Sequence, residues 1–318
     1  MRPMRLGGWS GRRAVALLVL LALAAIGSAF AAAYVAAPSA GDLAARVAAY
    51  ERAHGVRPVA LDRISPLLRA AVVAQEDERF YDHRGVDLIA LMRAVPYDLA
   101  HWSLAQGAST ITEQLAKIAY LGGDDRSPWR KLTDVALGFR LGHRYSHETI
   151  LDDYLNVVYL GEGAYGVADA ARTYFGRDVA RLDLAQASLL AGLVEGPSVY
   201  DPLRNPAAAR ARQAVVLQSM IRNGYTTRAD ALRAARSPLR LASGHVLAPD
   251  PAVTFSESAP FDWDVLVLAA VLFAAALAAF GAARLAAPAF AVRVPLKAAA
   301  AVLLVLALLA AARSVQVV

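Results

Sequence analysis

The sequence predicts a mainly helical domain joined to membrane-spanning helices. Of the 318 residues, 57% are hydrophobic, and many of them fall in three long runs at residues 14–35, 265–283 and 294–312. Each run is long enough to cross a hydrocarbon core about 30 Å thick. Between the first and second runs the chain carries repeated helix-start signals, and it lacks the apolar–polar alternation of half-buried strands.

The charges beside these runs predict their orientation. Arginines precede the first run, and cations lie between the second and third: Arg2, Arg5, Arg12, Arg13, Arg284, Arg293 and Lys297. Because cytoplasmic flanks carry the excess of Lys and Arg, residues 1–13 are predicted to be cytoplasmic. Residues 38–240 then form an extracytoplasmic domain, and 241–264 a linker. A cleaved signal peptide, with Ala29-Phe30-Ala31 as the cleavage site, is the alternative to the first anchor, and it leaves the domain on the same side.

The overall charge narrows the choice of partners. The net charge is +6 at pH 7, and the pI is about 9.7. Much of this excess lies in the membrane flanks, although a basic surface that meets anionic lipid or diphosphate groups fits equally well. An exported domain argues against nucleic acid as a partner. The absence of cysteine excludes disulfides, thiol catalysis and zinc–thiolate sites.

Several helix boundaries can be read from capping residues. Proline follows a capping residue at Ser65, Ser127 and Asn205, which predicts helix starts there. Two further N-caps are predicted at Ser146 and Asp183.

The first group of residues with chemical potential surrounds Glu76. If the helix that starts at Ser65 continues, then Glu76, Phe80 and His83 lie at i, i+4 and i+7 on one face. A carboxyl beside an aromatic ring and an imidazole suits a general base, because partial burial raises its pKa. The alternative is a solvated acidic helix end.

The second group lies near a helix N-terminus. Thr110, Gln114 and Lys117 share a helical face, where hydroxyl, amide and ammonium groups suit an anion such as a diphosphate. Thr110 and Glu113 also have the spacing of a capping box, which gives Glu113 a structural role. An ordinary amphipathic helix is the alternative.

The third group comprises Arg130, Lys131 and Asp134. Two cations one turn before a carboxylate could hold phosphate oxygens together with a metal or a second catalytic carboxylate. A surface ion pair between Arg130 and Asp134 is the alternative. The stretch 150–177 is predicted to be mainly scaffold, and Arg212 a single cation on a core helix.

The order and spacing of these groups over residues 61–224 resemble the five motifs of the peptidoglycan glycosyltransferase family. The resemblance implies a lysozyme-like, mainly helical fold with a cleft between two lobes, and residues 88–102 fit its membrane-dipping segment. It also implies roles for single residues. Glu76 matches the catalytic base and Asp134 a second catalytic or metal-binding carboxylate, while the substrate-binding positions match Asp77, Phe80, His83, Thr110, Gln114, Lys117, Arg130 and Lys131.

The same resemblance implies an activity and a location. The activity is polymerisation of lipid II into glycan strands with release of undecaprenyl diphosphate, aided by a divalent ion (Mg or Mn). The chain would act at the extracytoplasmic side of the bacterial cytoplasmic membrane with the nascent strand and other cell-wall proteins. Two departures, Asp134 for Glu and Glu113 for Gln, keep a catalytically impaired lipid-II-binding scaffold as an alternative. A glycan-cleaving enzyme that uses Glu76 as an acid is a third.

Overall fold

A computed structural model of the chain describes residues 11–91, 109–122 and 127–256. Over these residues the protein is mainly helical, as predicted. The helices are α1 Gly11–Ala36, α2 Leu43–His54, α3 Pro66–Glu76, α4 Ile111–Ala116, α5 Pro128–Arg144, α6 His147–Val157, α7 Val167–Phe175, α8 Leu184–Leu193, α9 Pro206–Arg222 and α10 Arg228–Arg236. Single helical turns of other types occupy Leu61–Arg63, Lys117–Leu121 and Val179–Arg181, and two short strands follow, β1 Leu239–Arg240 and β2 Val246–Leu247.

The first predicted membrane span coincides with α1, Gly11–Ala36. Within the described part of the chain, no helix combines the length and the hydropathy that a membrane crossing requires. The other two predicted spans, at 265–283 and 294–312, lie outside the described residues, as does 92–102 of the predicted dipping segment. All three spans stay predictions.

The core is organised around α8. Nine consecutive residues of this helix, from Ala185 to Leu193, are buried, which is the pattern of a helix covered on every side. Both α3 and α9 pack against it. Its start is fixed by a reciprocal capping box between Asp183 and Gln186. The central helix therefore holds α3, whose last residue is Glu76, in a fixed position.

The helix that starts after Ser65 does not continue through His83, so the expected common face of Glu76, Phe80 and His83 is wrong. The helix ends at Glu76, because Asp77 leaves helical geometry with φ −160° and ψ 74°. The Asp77 side chain then accepts a hydrogen bond from the backbone N–H of Ile111 at 3.1 Å. This contact ties the end of α3 to the start of α4. Phe80 and His83 consequently lie on a following turn and do not share a helical face with Glu76.

Three of the predicted N-caps are confirmed. The side chains of Ser127, Ser146 and Asp183 each accept a bond from a backbone N–H in the first turn. Ser65 instead donates its hydroxyl to Leu182 O at 3.1 Å, which ties the start of α3 to the start of α8. Asn205 makes no capping bond through its side chain. Both helices nevertheless begin at the following proline.

The segment after α10 packs against the domain, although a linker was predicted from residue 241. β1 and β2 pair antiparallel, with Leu239 opposite Leu247. Leu247 and Phe255 are buried in the core. Arg210 of α9, itself buried, donates to the carbonyls of Leu247 and Ala248, both at 3.0 Å. The packed domain therefore extends to Ser256, the last residue described.

A close backbone contact joins α5 to the turn that follows Glu76. Gly85 has φ +87°, and a β-carbon there would lie 2.1 Å from the carbonyl oxygen of Gly138. A β-carbon on Gly142 would lie 2.4 Å from Gly85 N. Only glycine permits this approach. It sets the distance between α5, which carries Arg130 and Lys131, and the chain next to Glu76.

Candidate active site

The carboxylate of Glu76 is held by a chain of two hydrogen bonds. Gln114 Nε2 donates to Glu76 Oε2 at 2.9 Å, and the Tyr154 hydroxyl donates to Gln114 Oε1 at 2.8 Å. Tyr154 is fully buried in α6. Because the tyrosine occupies the oxygen of the amide, the NH₂ group is the one that faces the carboxylate. The arrangement therefore fixes both the position of Glu76 and the donor that contacts it.

Burial raises the pKa of the Glu76 carboxyl above its ordinary value. The hydrogen bond from Gln114 and the positive charge of Arg212 favour the ionised form, but they do not outweigh burial. Arg212 is also paired with Glu195, with 2.5 Å between Nη2 and Oε2, so its charge is partly balanced. A carboxyl with a raised pKa is a better proton acceptor than a solvated one.

Asp77, which is buried, and His83, which is half-buried, form a pair next to Glu76. His83 Nε2 lies 2.8 Å from Asp77 Oδ1. Burial opposes protonation of the imidazole, but the hydrogen bond and charge of Asp77, together with the charge of Asp87, raise the pKa of His83. Because Asp77 also accepts the Ile111 N–H, this pair holds the base-bearing end of α3 against α4.

The expected role of Phe80 in substrate binding needs correction. Its side chain is 0% exposed. The ring packs against Tyr81 and His147, with centroids 5.1 and 5.0 Å away. A phenyl group so placed has no surface for a substrate. It supports the turn that carries His83.

Thr110 also has a structural role. Its hydroxyl donates to Gly85 O at 2.8 Å and accepts from the N–H of Glu113 at 3.1 Å. The predicted N-cap of α4 is therefore present. The return bond of a capping box is not, because the Glu113 carboxylate accepts from Lys131 Nζ at 2.7 Å instead. Burial raises the pKa of Glu113, and the charge of Lys131 acts against that shift.

The predicted cations gather at the N-terminal end of α5. Arg130 Nε lies 3.2 Å from Asp134 Oδ1, so the ion pair that was the alternative interpretation is present. Burial raises the pKa of Asp134, while Arg130, Lys131 and Lys117 act in the opposite direction. The charges of all three cations therefore act on this one carboxyl, and Arg130 is the one in direct contact with it. We call Lys117, Arg130, Lys131 and Asp134 the cationic group.

The predicted metal site at Asp134 does not fit this environment. Its carboxylate is already bonded to Arg130 at 3.2 Å, and two lysines act on it. A divalent cation needs several oxygen ligands, and it would meet three positive charges here. Among the described residues, three potential ligands converge only at Asp77, His83 and Asp87. That set is already joined by internal bonds, including Arg79 Nη2 to Asp87 Oδ1 at 2.6 Å.

α4 connects the base to the cationic group. Gln114 contacts Glu76 on one side of this helix, while Glu113 contacts Lys131 on the other. Lys117 begins the π-helical turn that follows and is exposed. Gln114 and Lys117, which were predicted to share a helical face, therefore belong to the two ends of the site: Gln114 contacts the proton acceptor, and Lys117 is one of the cations.

A cavity of about 200 Å³ lies beside Glu76. Its wall includes Asp77, Ser109, Thr110 and Arg222. The volume is below the roughly 300–1,000 Å³ of common ligand sites. The cavity therefore represents the part of a ligand site that lies next to the Glu76 carboxylate.

Two contributors were missed by reasoning from sequence. Tyr154 lies in the stretch that was assigned to scaffold, and nothing in its helical spacing indicates contact with Gln114. Arg212 was noted only as one cation on a core helix, yet its charge acts on Glu76. The one feature of the sequence that could have indicated this role was the position of Arg212 among alanines and valines on α9. Glu195, its partner, carried no signal.

Comparisons with known proteins agree with this arrangement. The family model described as Transglycosylase matches residues 42–221. A protein of Cupriavidus necator named "Putative transglycosylase" is 43% identical over 226 residues, which is 71% of this chain and 97% of that protein. Penicillin-binding protein 1A of Escherichia coli K12 is 44% identical over 170 residues, which is 54% of this chain and 20% of that protein. The protein of the same name from Neisseria flavescens is 44% identical over 167 residues, 52% of this chain and 21% of its own length.

The matched region runs from the residue before α2 to the penultimate residue of α9. It contains Glu76, Gln114, Tyr154 and the whole cationic group. The chain spans nearly all of the Cupriavidus protein but only about a fifth of each penicillin-binding protein. The chain belongs to the transglycosylase family.

Proposed function

We propose that this chain is an inverting peptidoglycan glycosyltransferase that polymerises lipid II, with Glu76 as the general base. The observation that carries the proposal is the half-buried carboxylate of Glu76, which accepts a hydrogen bond from Gln114 at 2.9 Å and is separated by one short helix from the cationic group. A proton acceptor and a set of cations are the two parts that transfer from a lipid diphosphate requires.

The proposed reaction is a single displacement. Glu76 accepts the proton of the 4-hydroxyl on the GlcNAc of one substrate molecule. The hydroxyl oxygen forms a bond to the anomeric carbon of the MurNAc of another, and the bond from that carbon to the diphosphate breaks. Undecaprenyl diphosphate leaves with the electron pair. Attack from the face opposite the leaving group inverts the anomeric centre.

The cationic group is assigned to the leaving diphosphate. With Glu113, it comprises three cations and two carboxylates, so its formal charge is +1. Lys117 is exposed and has no ion pair among the residues described here, whereas Arg130 and Lys131 already have carboxylate partners. Lys117 is therefore proposed as the first contact for phosphate oxygens, followed by Arg130 and Lys131. No step is assigned to a metal.

The proposed location follows from the substrate. The chain would lie at the extracytoplasmic face of the bacterial cytoplasmic membrane, with residues 14–35 as anchor and with a lysozyme-like domain between membrane segments. Its partners would be the growing glycan strand and other proteins of cell-wall synthesis. The three apolar runs and the charge flanks support this placement.

The test is an assay of the detergent-solubilised full chain with fluorescently labelled lipid II. We expect a ladder of glycan polymer on a gel, and we expect muramidase to digest it. Parallel reactions with EDTA, Mg²⁺ and Mn²⁺ test the metal, and we expect polymer in all three.

Each of the other possible outcomes of this assay would contradict part of the proposal. Saturable binding of lipid II without polymer under any of these conditions would refute catalysis and favour the scaffold. Polymer only with a divalent ion would contradict the absence of a metal role. Soluble muropeptides released from purified sacculi would instead reveal glycan cleavage.

A further inference from the structure

The C-terminal end of α1 lies against α5, where Leu132 and Ala136 pack against it. Ala33 of α1 and Ala37, which follows the helix, are buried with Ala136 of α5 in a small cluster separate from the main core. Arg130 and Arg144 are 14 positions apart on α5, which corresponds to about 21 Å at 1.5 Å per residue. A site at the Arg144 end of this junction is therefore distinct from the one proposed for the diphosphate.

Arg140 joins the two helices. Its Nη1 donates to the carbonyls of Ala37 and Pro38, at 2.6 and 2.7 Å, and its Nη2 donates to Tyr34 O. The guanidinium also lies over the Tyr34 ring, 4.1 Å from its centroid. The bond to Tyr34 O satisfies a carbonyl that the last turn of α1 leaves open, and the other two bonds hold the chain just after the helix. Because the donors of Arg140 are used in this way, it serves as the floor of the junction.

An open cavity of about 680 Å³ lies on this floor. Its lining contains three basic side chains, a phenyl and a phenol ring and a serine, with no carboxylate: Tyr34, Ser39, Phe139, Arg140, His143 and Arg144. Arg144 is exposed and has no ion-pair partner among the described residues. His143 is also exposed, and its Nδ1 donates to Phe139 O at 2.8 Å, so Nε2 can donate to a ligand when the ring is in its imidazolium form. This concentration of positive charge without a counter-charge suits an anion.

The surroundings of the cavity are apolar on one side. Phe139 is 38% exposed and makes edge contacts with Phe30 and Tyr34 at 6.4 and 6.2 Å. Toward the N-terminus, α1 exposes Ile26 and Leu21 by 63% and 56%. Aromatic and basic residues that border an exposed apolar helix are typical of the region where a bilayer meets water. The anion is therefore expected to carry an apolar part.

We propose that this cavity binds the phosphate of an anionic membrane lipid headgroup. Arg144 and His143 contact the phosphate oxygens, and the Phe139 ring meets the glycerol and acyl carbons. The proposal rests on the membrane location given under Proposed function, but it does not require lipid II. Occupancy by such a lipid would fix the angle of α1 relative to α5, the helix that carries Arg130 and Lys131.

The test uses the full chain in a neutral detergent and no lipid II. Native mass spectrometry follows binding of dihexanoyl phosphatidylglycerol, dihexanoyl phosphatidylcholine and inorganic phosphate. We expect saturable binding of the phosphatidylglycerol, at least tenfold tighter than that of the other two. The double variant His143→Gln/Arg144→Gln is expected to weaken it at least tenfold, and Arg144→Gln alone to weaken it less.

A matched control removes the same two residue types elsewhere. Arg181 and His245 are exposed and lie outside the cavity, so His245→Gln/Arg181→Gln should bind phosphatidylglycerol like the unaltered chain. Unchanged binding in His143→Gln/Arg144→Gln would overturn the site. Inorganic phosphate bound as tightly as the lipid would overturn the headgroup assignment. Because no substrate is present, these results are independent of polymerisation.

Discussion

Replacement of Tyr154 by phenylalanine tests whether the orientation of Gln114 controls the base. The change removes one hydroxyl and leaves Gln114 Oε1 without the donor that lay 2.8 Å away. An amide that has lost this partner can turn its oxygen toward Glu76, where it would repel the carboxylate instead of donating to it. Tyr154 touches no reacting atom in this account and is a positioning residue.

The magnitude follows from the hydrogen bond that would be lost. A hydrogen bond to a charged group contributes about 1.5–3 kcal/mol, and 1.36 kcal/mol corresponds to about one pKa unit. Gln114 favours the ionised form of Glu76, so its loss raises the pKa of Glu76 further. The base must be ionised to accept a proton. We therefore expect the acidic limb of the pH profile of kcat/KM to move up by about one to two pH units.

Tyr174→Phe provides the matched control. Tyr174 is also fully buried, and its hydroxyl donates to Leu160 O at 2.9 Å. Each variant leaves one buried acceptor unpaired, so each should lose about 1–3 kcal/mol of unfolding free energy in urea titrations. Only Tyr154→Phe should displace the acidic limb in the lipid II assay. Equal profiles for the two variants would refute the positioning role.

Three other predictions concern stability. Lys131→Met leaves the buried Glu113 carboxylate without its partner, so it should lower the free energy of unfolding by about 2 kcal/mol. Addition of Glu113→Gln should recover most of this loss in a double-mutant cycle. Gly142→Ala should destabilise by about 1–3 kcal/mol or prevent folding, whereas Gly41→Ala, whose added methyl meets its nearest atom at 3.6 Å, should be nearly neutral in thermal unfolding. Burial raises the pKa of Glu76, so the folded state loses stability relative to a neutral side chain as pH rises above the ordinary pKa of 4.5. Glu76→Gln should therefore raise Tm at pH 7.5, with a gain that shrinks toward pH 4.5, and a gain independent of pH would contradict the burial of this charge.

Helix boundaries and the general location of the site followed from local signals. Proline after Ser127 and the cap at Asp183 are chemical features of a few adjacent residues, and they specified helix starts correctly. The placement of Lys131 beside Glu113 did not follow, because that pair joins residues 18 positions apart on two helices. Tertiary contacts of this kind leave no periodic trace in a sequence.

The error at α3 has a similar cause. Periodicity from Ser65 onward gave no reason to end the helix at Glu76. The helix ends because Asp77 bonds to Ile111, 34 positions later. The same change of direction buries Phe80 and turns His83 toward Asp77. A helical projection of the sequence could therefore identify Phe80 and His83 as residues near Glu76. It was wrong to place them on one helical face with Glu76.

The most direct test of the central claim is polymerisation of lipid II by Glu76→Gln. The amide keeps the size of the side chain but cannot accept the proton, so we expect the rate of chain formation to fall by about 10²–10⁴-fold or more, with the fold retained by circular dichroism. Glu148→Gln, which neutralises an exposed carboxylate on α6, should polymerise at the unaltered rate. Chain formation by Glu76→Gln at a rate close to that of Glu148→Gln would contradict the assignment of Glu76 as the base.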